Sequence, residues 1–111
     1  MGGEFGVLIN AAINGNEVKI VETLIKMGAN IALRDPMGRS PLYTAATNGC
    51  TKILHMLMEA GGELEAKNNN GWTPLNAASN HGHLEVVKLL LEKGADITAA
   101  SKTGSTPLHK A

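Results

Sequence analysis

The sequence has few of the residues that indicate redox, metal or nucleic-acid chemistry. Its 111 residues include a single cysteine, Cys50, and one each of Phe, Trp and Tyr. One thiol excludes an internal disulfide and, together with the lack of a secretory leader, favours an intracellular location, cytoplasmic or nuclear. Ten basic residues balance ten acidic ones, so no positive excess attracts nucleic acid or an anionic membrane. No apolar run approaches the roughly 20 residues that a membrane-spanning helix needs.

A five-residue phrase recurs at a fixed interval along the chain. It reads GRSPL at 38–42, GWTPL at 71–75 and GSTPL at 104–108. A period of this length indicates a solenoid, in which each unit buries its apolar face against the next. We therefore divide the chain into an N-terminal repeat at 7–34, full repeats at 35–67 and 68–100, and a truncated repeat at 101–111. We interpret residues 1–6 as an expression tag.

Each repeat contains signals for two helices. Ser40–Pro41 and Thr73–Pro74 predict the start of a first helix, because a hydroxyl caps the N-terminus and proline is tolerated at the first helical position. Gly49 and Gly82 predict its end in a left-handed conformation. Apolar residues then recur with helical spacing, which predicts a second helix. They are Ile20, Val21, Leu24 and Ile25; Ile53, Leu54, Leu57 and Met58; and Val86, Val87, Leu90 and Leu91.

The first repeat departs from this spacing. Gly15 and Gly28 lie one residue further apart than the corresponding glycines of the next two repeats. This predicts one inserted residue near Asn16–Val18. Between repeats, the polar segments RDPMG at 34–38 and KNNNG at 67–71 predict projecting turns, since each closes with a glycine.

The stretch GWTPLNAASNHGHLEVVKLLLEKGADI resembles the ankyrin repeat, and the resemblance covers the chain from about residue 6 to its end. It implies an all-α solenoid of stacked helix-turn-helix repeats with projecting β-turn loops. It also implies a non-enzymatic module for protein–protein interaction. The family's TPLH histidine is present only as His109, with Ile9, Tyr43 and Asn76 at the other equivalent positions, so we expect those repeats to lose its hydrogen bonds.

Candidate chemistry is sparse. His81 and His83 are two residues apart, which does not place two metal ligands on one helical face. Glu63 and Glu65 form a carboxylate pair with no nucleophile nearby, which favours a solvated surface over acid–base catalysis. Cys50 takes the place of the family's histidine between the helices and is interpreted as a tolerated substitution. We expect no catalytic residue, no metal site and no cofactor.

The resemblance places the binding surface on the concave side, along the loops and the first helices. Trp72 is the only tryptophan, and exposed Trp with Arg is typical of interface hot spots; an aromatic side chain at this place also suits packing over the neighbouring loop. The candidate partner-binding residues are Arg34, Met37, Arg39, Thr47, Asn48, Lys67, Asn69, Asn70, Trp72, Asn80 and His81.

A second hypothesis is self-association. The sequence stops at TPLHKA, the beginning of a first helix without its second helix. Solenoids normally need polar terminal caps, so we expect an open apolar C-terminal end that favours homo-oligomers. On this hypothesis the chain is a structural scaffold or a truncated folding fragment without a dedicated partner.

Overall fold

The computed structural model of the protein describes the backbone of residues 2–96 and the side chains of residues 8–96. The truncated repeat at 101–111 and the last residues of the repeat at 68–100 lie outside the described residues. Six helices occupy the described part: α1 (Gly2–Asn14), α2 (Val18–Lys26), α3 (Pro41–Asn48), α4 (Thr51–Glu59), α5 (Pro74–Asn80) and α6 (Leu84–Glu92). None of these is long and apolar enough to cross a membrane.

The helices form two stacked layers. The first helices pack in the order α1, α3, α5, and the second helices in the order α2, α4, α6. The second helices begin at Val18, Thr51 and Leu84, which are spaced by the same interval as the recurring phrase, and all three have equal length. The predicted all-α solenoid of helix pairs is therefore confirmed for residues 2–96.

The first helices α3 and α5 begin at the predicted caps. The Ser40 hydroxyl accepts a hydrogen bond from the Tyr43 amide at 3.1 Å, and the Thr73 hydroxyl accepts one from the Asn76 amide at 3.1 Å. A cap of this kind stabilises a helix by about 1 kcal/mol. Asn76 also accepts from the Thr73 amide at 3.0 Å, which completes a capping box.

This capping box bears on one expectation from the sequence. Asn76 and Tyr43 were expected to lose the hydrogen bonds of the family's histidine. Asn76 instead bonds within its own helix start, and the Tyr43 hydroxyl accepts from Asn68 Nδ2 at 3.1 Å. The amide and the phenol thus make hydrogen bonds of their own, while Asn76 Nδ2 is buried without a partner, and the loss of the histidine's bonds stays a prediction.

The predicted insertion near Asn16–Val18 is wrong. Asn16 has φ 54°, and it lies one repeat interval before Gly49, which has φ 72°. Asparagine is one of the few residues other than glycine that adopts the left-handed region, so Asn16 ends the first helix in the glycine's place. The first repeat therefore keeps the same interval as the others. In this register Ile9, which is fully buried, is the counterpart of Leu42 rather than of Tyr43.

The core lies between the two helix layers. Ile53, Leu54 and Leu57 of α4 are fully buried. The first helices contribute Ile13, Leu42 and Leu75, which are also buried. Pairs of alanines, at 45–46 and 77–78, are buried as well, and their small side chains let α3 and α5 approach closely. Every residue of α3 from 41 to 46 is buried, so its surface is confined to its C-terminal end.

Candidate partner-binding surface

The first loop, residues 34–39, is organised by Asp35. Its carboxylate accepts hydrogen bonds from the amides of Met37 at 3.0 Å and Arg39 at 2.8 Å, and from Arg39 Nε at 2.7 Å. The backbone closes through Asp35 N to Arg39 O at 3.0 Å. Burial by itself raises the pKa of Asp35, but the hydrogen bonds and charge of Arg39 and the Met37 amide outweigh it and hold the pKa below its ordinary value.

The second loop, residues 67–72, is organised in the same way by Asn68. Its Oδ1 accepts from the amides of Asn70 and Trp72, both at 2.9 Å, and its own amide donates to Trp72 O at 2.9 Å. Asn68 occupies the position of Asp35 in the following repeat and takes the same structural role without a charge. Both loops are thus held by a side chain that accepts two backbone amides.

The two loops are bonded to each other. Arg34 Nη1 donates to Lys67 O at 2.7 Å and to Gly38 O at 3.0 Å. The Asn69 amide donates to Met37 O, and its Nδ2 donates to Pro36 O, both at 2.9 Å. These contacts hold the two loops to each other.

Gly38 permits this close approach. Its φ is +78°, and a Cβ atom there would lie 2.8 Å from the Asn69 amide nitrogen. A side chain at this position would therefore be strained in the backbone and would also push the second loop away.

The loops bring together seven of the predicted contact residues. Met37 has 54% of its surface exposed at the tip of the first loop. Arg39 and Trp72 are half-buried and occupy the same position of consecutive repeats. The exposed members of the group are Arg34, Met37, Lys67, Asn69 and Asn70.

The other four predicted residues lie at the C-terminal ends of the first helices. Asn48 Nδ2 donates to Asn14 Oδ1 at 2.8 Å, and His81 Nδ1 bonds to Ala77 O at 2.9 Å. Thr47 is half-buried and Asn80 is exposed. The eight residues of α3 separate these helix ends from the loops by about 12 Å.

His83 was not among the predicted residues, but it joins two repeats. Its Nε2 bonds to Thr47 O at 2.8 Å, and its ring stacks on that of His81 with centroids 6.0 Å apart. Cys50 takes the same position one repeat earlier, where Sγ lies 3.7 Å from Ile13 O. Burial raises the pKa of the Cys50 thiol above its ordinary value.

Asp35 and Asn68 were also missed as loop organisers. Each stands three residues before the glycine that closes its loop. That spacing was the available signal, because Asp and Asn side chains commonly accept backbone amides in turns.

Glu63 and Glu65, the carboxylate pair noted in the sequence, each lie beside a polar group. Glu65 Oε2 accepts from the Asp96 amide at 2.7 Å, and Glu63 Oε2 lies 4.0 Å from Arg34 Nη2. Across residues 8–96, no group of three or more His, Cys, Asp and Glu side chains is placed to hold a metal ion.

Comparison with known proteins agrees with the architecture. The family model for ankyrin repeats, in three copies, matches residues 8–101 and 63–111. No curated protein matches the chain. Ankyrin repeats are generally protein–protein interaction modules and are typically not enzymes. With the stacked helix pairs and linked loops described above, the match shows that the chain belongs to the ankyrin-repeat family.

Proposed function

We propose that this protein is a non-enzymatic module that binds a protein partner through its binding strip. The binding strip consists of the two loops, residues 34–39 and 67–72, and the helix ends at 47–48 and 80–81. The proposal is supported by the general role of the family and by the rigid, partly apolar surface that the loops present.

The observation that carries the proposal is the exposure of Met37 on a fixed backbone. Its amide donates to Asp35 Oδ1, and its carbonyl accepts from the Asn69 amide. A methionine side chain adapts its shape to an apolar partner surface, and here its backbone is already ordered. Burying the exposed part of such a side chain is favourable at about 25 cal/mol per Å².

Arg39 and Trp72 support the same surface. Arginine and tryptophan are the residue types most often found as interface hot spots. Both are half-buried, so each side chain still has an accessible portion. We infer that Trp72 packs within the strip and contacts the partner with the same ring.

The test compares two exposed methionines. Met37→Ala removes the apolar tip of the first loop, whereas Met27→Ala removes a side chain that is 61% exposed at the end of α2. For a partner identified with the wild-type chain, we expect Met37→Ala to weaken binding by about tenfold, or 1.4 kcal/mol. Met27→Ala should leave the affinity unchanged. Equal effects of the two changes would contradict the proposed surface.

A second candidate function is self-association, favoured by one apolar face. Ile20 is 48% exposed, whereas its counterparts in the next two repeats, Ile53 and Val86, are 0% and 1% exposed because a preceding repeat covers them. A groove of about 260 Å³ lies on this face beside Leu8 and Leu24. Here the apolar surface is at the N-terminal side, whereas the predicted open C-terminal end lies outside the described residues.

Light scattering with size-exclusion chromatography tests this candidate over roughly a hundredfold range of concentration. A mass that rises with concentration, and that stays at one chain for Ile20→Glu but not for Met27→Glu, supports self-association through this face. A constant mass of one chain for the wild type rejects it.

A further inference from the structure

Charge is distributed unevenly between the segments that contain the loops and those that contain the second helices. The segments that contain the loops and the following first helices, 34–50 and 67–83, have three basic residues and one acidic residue. The segments that contain the second helices, 17–33, 51–66 and 84–96, have five basic and eight acidic residues. The loop and first-helix segments therefore have a small positive excess, although Glu63, which is counted with the second helices, lies beside Arg34 of the first loop.

Asp35, the one acidic residue within the loop and first-helix segments, offers little charge to a partner. The Asp35 side chain is 11% exposed, and its oxygens accept three hydrogen bonds from Met37 and Arg39. Its negative charge is therefore compensated within the first loop by the Arg39 guanidinium.

The basic side chains remain accessible. The Arg34 side chain is 40% exposed, and its guanidinium is oriented by the two carbonyls that it binds. Its Nη2 lies 4.0 Å from Glu63 Oε2, whose side chain is 78% exposed. An exposed pair at this distance is weak, so an incoming carboxylate can replace Glu63. Lys67 is exposed and forms no ion pair with any residue in the described part of the chain.

We propose that the loop part of the binding strip binds an acidic, extended segment of a protein partner, with carboxylates facing Arg34 and Lys67 and an apolar side chain against Met37. This inference rests on the proposed function. Arg34 and Lys67 hold the same position in consecutive repeats, whose helices pack about 8–10 Å apart. Alternate residues of an extended chain face the same side about 7 Å apart, so two nearby carboxylates can reach both cations.

The experiment uses a random peptide library displayed on phage. Peptides are selected for binding to the immobilised wild-type chain and, separately, to two variants. Peptides of about 12 residues span about 40 Å when extended, close to the 38 Å length of the protein. Lys67→Glu reverses a charge on the loop side. Lys52→Glu reverses a charge on an exposed residue of α4 and is the matched control. Circular dichroism melting confirms that both variants fold.

We expect the wild-type and Lys52→Glu pools to be enriched in Asp and Glu beside Leu, Ile, Met or Phe. The Lys67→Glu pool should lose the acidic enrichment. A synthetic peptide from the wild-type pool should bind Lys67→Glu about tenfold more weakly than Lys52→Glu, and more weakly in higher salt.

Three results would overturn the inference, and they separate it from the proposed function. The wild-type chain could select peptides that have no acidic enrichment but still bind Met37→Ala more weakly. This result would keep the binding strip and reject the acidic partner. If neither Lys67→Glu nor Met37→Ala weakens binding, both proposals are rejected. Tighter, Lys67-dependent binding of a single-stranded oligonucleotide would assign the cations to nucleic acid.

Discussion

Arg34 donates a hydrogen bond of 2.7 Å to the carbonyl of Lys67, the residue that takes its own position one repeat later. A long side chain from one repeat thus fixes the backbone of the next, at the place where both loops project from the helices. The candidate surface is therefore a single body with two loops, and its rigidity depends on side chains that are also exposed to a partner.

Arg34→Ala should lower the free energy of unfolding by about 1–2 kcal/mol, because it removes the hydrogen bonds to Lys67 O and Gly38 O. Lys67→Ala is the control, since it keeps the carbonyl that accepts the bond. Urea unfolding measures the stability of both variants, and hydrogen exchange at the amide of Asn69 reports on the loop. Equal stability of the two variants would show that the guanidinium does not hold the loops together.

Asp35 should make the stability depend on pH. Its folded pKa lies below the ordinary value of 3.8, so its charged form stabilises the protein above that pH, and this contribution is lost as the pH falls through the folded pKa. Asp35→Asn keeps an acceptor for the amides, as Asn68 does. We expect the wild type to be more stable than Asp35→Asn by about 1 kcal/mol at pH 7, and this difference to shrink as the pH falls below the ordinary value of 3.8. A difference that does not change with pH would contradict the role of the charge.

The corrected register of the first repeat can be tested at adjacent residues. Asn16→Ala should lower the free energy of unfolding by about 1 kcal/mol, because alanine tolerates the left-handed region poorly. Gly15→Ala should be neutral or stabilising, since a Cβ there meets its nearest neighbours at 3.4 Å or more. Thermal melting ranks the two variants, and the opposite order would restore the predicted insertion.

Cys50 and Asn16 should be energetically coupled. The ring of His83 fits beside Gly49 because glycine has no side chain, since a Cβ there would lie 2.8 Å from the His83 Nδ1. One repeat earlier, Asn16 stands in the glycine's place, so it blocks the equivalent ring. We expect Cys50→His to destabilise the protein alone but to stabilise it in combination with Asn16→Gly.

A double-mutant cycle in urea measures this coupling. The single variants Asn16→Gly and Cys50→His serve as its controls. The coupling free energy should be about 1 kcal/mol or more, and additivity within about 0.3 kcal/mol would show that the ring does not need the space.

Much of the fold could be predicted from the sequence because similar helix signals recur along the chain at a fixed interval. The Ser40–Pro41 and Thr73–Pro74 pairs predicted the first helices, and the left-handed Gly49 and Gly82 predicted where they end. Asn16 was missed because glycine was taken as the marker, while the backbone requirement is a positive φ that asparagine also satisfies.

The contacts of the candidate site were harder to predict. The repeat alignment placed Arg34 and Lys67, and Met37 and Asn70, at matching positions of one strip. In the structure Arg34 bonds to Lys67 O, while the use of this strip for binding stays a prediction. Arg34 binds the backbone of the next loop, and Asn69 binds Met37 O and Pro36 O. These hydrogen bonds depend on rotamers that the sequence pattern does not specify. Asp35 and Asn68 could have been found from their spacing to the closing glycine.

Partner binding through the strip is tested most directly by amide chemical-shift mapping. The ¹⁵N-labelled wild-type chain is titrated with its tightest-binding peptide or protein. We expect the largest shifts at residues 34–39 and 67–72, with smaller shifts at the ends of α3 and α5. Shifts confined to the second helices, or to the N-terminal face around Ile20, would contradict the assignment of the binding strip.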